Sequence, residues 1–239
     1  MKPINVFRLE LCSAFSSVRT LVFRLGVAFL LGAPFVFIAM PVRIRVVGLV
    51  MLTLFTSFFG TAVSLVRARS EGRLTRLRVL PIPGWRMASD QLFAWSLVDF
   101  AQTGPLMFLL VAVSGHPISP GLGLRLAGLY CITVLLLNVA GFTLGWVMKN
   151  NPEVHLCGGL IVMGVGLLSG LVPVPSRIEP LVEVTAIFSP VGRLADALER
   201  AVTGVPQHEG ALAGALFFLI FSGTLIGRAV DWRTRFGRR

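Results

Sequence analysis

Six apolar runs of bilayer length dominate this chain and leave few folds open to it. They cover about 21–41, 46–66, 92–114, 126–148, 156–174 and 210–227. A helix needs about 20 mainly apolar residues to cross the hydrocarbon core. Lipid gives backbone amides no partner, so a spanning segment must be a helix or a strand of a closed barrel. Barrel strands are shorter and alternate polar with apolar residues; these runs do neither. The expected fold is all-α: one transmembrane domain over 1–239 with six spanning helices.

Charge is scarce and placed at the ends of these runs. Only 14% of residues are charged and the mean hydropathy is +0.82, whereas a soluble domain is about a quarter charged. The net charge of +11 would suit nucleic acid if it lay on a soluble face. Here the arginines flank apolar segments, where anionic lipid headgroups attract them. Membrane lipids are therefore expected as partners and nucleic acid is not. No small-residue cleavage site follows the first run, so it is expected to be retained as a span.

The most basic stretch is RARSEGRLTRLRVLPIPGWR, residues 67–86, with six arginines and the single acid Glu71. Cytoplasmic loops carry an excess of Lys and Arg. With both termini inside, 16 of the 22 basic residues lie on the inner side. Arg43 and Arg45 are a local exception, in a short outer turn after Pro41.

Two further segments have helical spacing. Ile4, Phe7, Leu11, Phe15 and Val18 form a stripe, with Lys2, Arg8, Glu10 and Ser13 elsewhere. This reads as an amphipathic helix in the inner interface, or as an extension of the first span. Between the fifth and sixth runs, Val191, Leu194, Leu198 and Val202 predict a surface or re-entrant helix on the outer side.

Few side chains carry candidate chemistry. Asp99 is the one carboxylate inside a span, with Gln102 one turn on. An ionisable group at membrane depth is a functional candidate by default; the plainer reading is a hydrogen bond to a neighbouring helix. Asn138 in the fourth run suits an interhelical hydrogen bond. Asp99, Gln102 and Asn138 are the candidates for a substrate path. Gly166 and Gly170 make a Gly-x-x-x-Gly pair, a candidate helix-packing or dimer face. Cys12, Cys131 and Cys157 are dispersed, and His116, His155 and His208 fall in separate loops, so no metal site is expected.

The basic loop has an internal order: Glu71, Gly72, a leucine-spaced basic stretch with Leu74, Leu77 and Leu80, then Pro81. This resembles the cytoplasmic loop between the second and third helices of ABC transporter permeases of the type-2 exporter family. Ser169, Gly170, Pro173, Pro190 and Arg193 are similar to that family's segment after the fifth helix, while Val191 and Glu199 depart from it. The resemblance implies a permease subunit rather than an enzyme, in a bacterial inner membrane, acting as a homodimer or paired with a second permease. It implies that a separate ATP-binding subunit docks on a coupling loop at 67–90, through Glu71, Gly72, Arg73, Leu74, Arg76, Leu77, Leu80 and Pro81. This sequence has no G-x-x-x-x-G-K-[ST] phosphate loop, so ATP and Mg²⁺ are expected on that partner, with no cofactor in this chain. The scarcity of fixed charge in the spans favours a lipophilic or amphipathic substrate. A rival resemblance exists. Arg8–Leu11, Ala14 and Phe15 are similar to the haem-exporter permease of cytochrome c maturation. That relative implies a membrane anchor which recruits an ATPase for assembly or release.

Overall fold

The computed structural model describes residues 6–15, 18–77, 82–116 and 119–205. The expected sixth run at 210–227, and Leu80 and Pro81 of the loop, lie outside these residues.

The described residues form helices and no strands. In chain order these are α1 (Val6–Phe15), α2 (Val18–Phe37), α3 (Val42–Ser70), α4 (Arg73–Leu77), α5 (Gly84–Val113), α6 (Pro120–Val147), α7 (Asn151–Leu168), α8 (Glu179–Phe188) and α9 (Pro190–Thr203). Four of them, α3, α5, α6 and α7, are long and apolar enough to cross a membrane. The apolar stretch of α2, Leu25–Phe37, is shorter.

Local chemistry sets the boundaries. Ser119 caps α6 by accepting from Leu122 N at 3.2 Å, ahead of Pro120 in the first turn. Asn150 caps α7 by accepting from Glu153 N at 3.0 Å, and Glu153 reaches back to Lys149 N at 3.0 Å. This reciprocal arrangement works like a capping box. Gly72 (φ +70) ends α3 in the left-handed region that favours glycine. The Glu71-Gly72 pair is thus first of all a helix terminator.

The bundle is built on α3 against α6. Gly141 and Gly145, one turn apart on α6, let the two backbones meet. A Cβ at Gly141 would collide with Phe58 O of α3, and one at Gly145 would stand 2.7 Å from Ala62 O. A small-xxx-small face allows this approach. Around the seam lie Leu49, Leu54, Leu106, Leu110 and Tyr130, all at or below 1% exposure. Helix α9 packs on this core through Val191, Leu194, Leu198 and Val202, the residues that predicted it from sequence. Helix α7 is the least enclosed: Leu156, Leu160, Met163 and Leu167 run along an exposed apolar face.

Two expectations change. Helix α7 stops at Leu168, and Gly170 (φ +68) lies beyond its end. Gly166 and Gly170 therefore do not form one helix face; the tight glycine pair is the one on α6. Among the described side chains of α1, Val6 and Glu10 are buried, while Phe7 and Leu11 are half-buried; Ile4 and the Phe15 and Val18 side chains of the expected stripe lie outside the description. The helix turns a carboxylate inward, because a cation waits there.

Candidate functional site

Helix α3 is not regular throughout. Residues Phe55–Phe59 form one π turn in its middle. Such turns are frequent at functional sites, and this one opens beside a cavity of about 390 Å³, within the size range of small-molecule pockets. The cavity has unlike walls. Phe23, Val27, Ala28 and Leu31 of α2 form an apolar wall. Helices α3 and α5 supply polar lining, Thr56, Thr61, Ser64, Asp99 and Gln102, beside apolar Leu52 and Val98. Trp95 of α5 also lines it. From Leu52 to Ser64 the α3 wall runs about 18 Å, at 1.5 Å rise per residue. An elongated space with both apolar and hydrogen-bonding lining suits an amphipathic molecule.

Behind the polar lining is a buried network centred on Asn138 of α6. Its Nδ2 donates to Asp99 Oδ2 at 2.9 Å, to Val134 O at 3.1 Å and to Ser96 Oγ at 3.2 Å. Its Oδ1 accepts from Thr61 Oγ1. One amide thus joins α3, α5 and α6 and holds the Asp99 carboxylate at the cavity edge. Asn138 is fully buried and Asp99 is 9% exposed. A turn further on, Thr103 and Tyr130 share a hydrogen bond.

The cavity lining includes a residue of the loop. Glu10 of α1 and Arg73 of α4 both line it, and Arg73 Nη2 stands 2.7 Å from Glu10 Oε2. Gln91 Nε2 of α5 donates to Glu10 Oε1 at 3.2 Å. Next to Arg73, Leu74 is 2% exposed and packs with Val6, Met87, Ala88 and Leu92. The expected exposed leucine ridge therefore loses Leu74, because α1 and α5 cover it. Glu71 and Arg76 are exposed, and Glu71 Oε1 accepts from Arg67 Nε at 2.7 Å.

The structure brings Asp99, Gln102 and Arg73 to one cavity, with Asn138 immediately behind Asp99. Gly166 and Gly170 take no part in it. Glu10, Thr56, Thr61, Ser64 and Trp95 are among the lining residues that the sequence did not assign to a site. A signal existed for some of them: Thr53, Ser57, Thr61 and Ser64 recur at spacings of three and four inside an apolar run.

Among the described residues of the loop, Arg69 also has a defined structural role. Its Nη1 donates to Met148 O at 2.6 Å and its Nη2 to Gly145 O at 2.7 Å. These carbonyls end α6, where intrahelical partners run out and positive charge is favoured.

No protein-family model, curated protein or solved structure matches this chain. The class is defined by the molecule itself: an all-helical protein over its described residues, whose long apolar helices fit a multi-pass membrane protein.

Proposed function

We propose that this chain is the membrane-spanning permease subunit of an ATP-driven exporter of the ABC type-2 kind. In this reading six helices cross a bacterial inner membrane with both termini in the cytoplasm. Helix α1 lies in the inner interface, and α8 and α9 lie at the outer side. A separate ATPase, carrying ATP and Mg²⁺, grips the 67–90 loop, and two permease copies pair. The substrate is lipophilic or amphipathic.

One observation carries the reading. The cavity, with both apolar and polar lining, is lined in part by Arg73, inside the segment that resembles the coupling loop. An energy-transducing permease needs that adjacency, because force applied at the loop must reach the substrate. A membrane enzyme would instead need a nucleophile, base or metal cluster.

The test is co-purification with candidate ABC-type ATPases from the same organism, followed by reconstitution in proteoliposomes. The expected result is a stable complex and ATP-dependent movement of a fluorescent single-chain amphipath. Reversing the exposed charges, with Glu71→Arg and Arg76→Glu, is expected to weaken the complex. A complex that hydrolyses ATP without moving any amphipath would favour the membrane-anchor reading. Wild-type protein that recruits no ATPase would end both.

A further inference from the structure

Arg73 occupies two places at once. It is the first residue of α4, within the loop proposed to receive the ATPase. Its guanidinium also lies on the cavity wall, 2.7 Å from Glu10. The Glu10 side chain is 2% exposed, and both of its oxygens are engaged, one by Arg73 and one by Gln91. A carboxylate this deep is tolerated only while its charge and lone pairs are satisfied. Arg73 therefore cannot leave without exposing or stranding Glu10. The neighbouring Leu74 independently presses α4 against Val6 of α1 and Met87 and Leu92 of α5. The apolar contact holds these elements together, and the directional ion pair sets their register.

We propose that Glu10 is a positioning residue: through Arg73 it ties the 71–77 segment to α1 and to the cavity, so that a displacement of α4 moves a cavity wall. The purpose of this tie, carrying force from a docked ATPase, rests on the function proposed above; the tie itself does not.

The experiment uses the full chain in lipid nanodiscs, with the three native cysteines replaced and a nitroxide at Arg76→Cys. Glu10→Gln and Arg73→Gln are each expected to raise label mobility at 76. The double variant is expected to raise it no further than the larger single effect, since both changes break one link. A control label at Arg177→Cys, far along the chain, is expected not to respond. Unchanged mobility in Glu10→Gln, additive effects in the double variant, or equal loosening at both labels would overturn the proposal. With the ATPase present, Glu10→Gln is expected to keep the complex while hydrolysis falls to the unstimulated rate. Full stimulation in Glu10→Gln would also overturn it. If the wild-type chain recruits no ATPase, the docking function fails, and the label measurements still decide the role of Glu10.

Discussion

Asn138 shows how one polar side chain can organise a membrane-type core. Its amide gives and accepts hydrogen bonds toward three helices, and it has no exposure to spare. Replacing it with leucine keeps the bulk and removes the bonds to Asp99, Ser96 and Thr61. Interhelical hydrogen bonds of this kind contribute about 1–2 kcal/mol, so Asn138→Leu is expected to lower the thermal unfolding temperature in detergent. Arg73 poses the opposite case, a cation whose removal strands a buried acid. Breaking a buried pair costs about 3–5 kcal/mol. The Arg73 side chain is 37% exposed, so Arg73→Gln belongs at or below the low end of that range. Asp99 and Asn138 were both legible in the sequence, because polar groups stand out in apolar runs. Glu10 was not, since a glutamate near a charged terminus looks like any solvated acid.

Between helices, the glycines divide into two kinds. Gly141 and Gly145 exist for contact, because each faces α3 backbone. Gly128 on the same helix has no atom within 4 Å of where a Cβ would lie. Gly141→Ala must push α3 away and is expected to cost about 1–3 kcal/mol. Gly128→Ala only removes backbone freedom and is expected to stabilise by up to about 1 kcal/mol. Unfolding in detergent, measured on both variants, separates the two; similar effects would argue against the α3–α6 seam. The Gly-x-x-x-Gly spacing at 141 and 145 was present in the sequence, as was the one at 166 and 170. Only the packed helices distinguish a contact pair from a helix end.

Across the whole molecule, the arginines separate into topology markers and structural clamps. Arg43 and Arg45, which broke the charge bias, are spoken for. Arg43 Nη1 meets Glu199 at 2.6 Å and its Nη2 donates to Gly170 O at 2.8 Å. Arg45 donates to Phe35 O at 2.9 Å and to Val36 O at 2.5 Å, satisfying the last carbonyls of α2. The proposed cytoplasmic placement of residues 67–86 then rests on the remaining basic residues. The prediction is directional: in intact cells an impermeant thiol reagent should label Arg177→Cys and spare Arg76→Cys, in a background without Cys12, Cys131 and Cys157. The reverse pattern would invert the proposed topology.

The sequence by itself determined that the chain is helical and apolar enough for a membrane, and roughly where its long helices run. Those properties depend on composition and period, which are local. It also marked Asp99, Asn138 and the basic loop, since charge in an apolar chain is conspicuous wherever it falls. Only the tertiary structure decided that Leu74 turns inward, that Glu10 is the partner of Arg73, and that Asp99, Gln102 and Arg73 share one cavity. The physical reason is that these depend on residues far apart in the chain: Glu10 meets Arg73, 63 positions on, and Gln91, 81 positions on. No local period encodes which face of α1 meets α4, or that Thr56 of the α3 π turn lines the same cavity as Glu10 and Arg73.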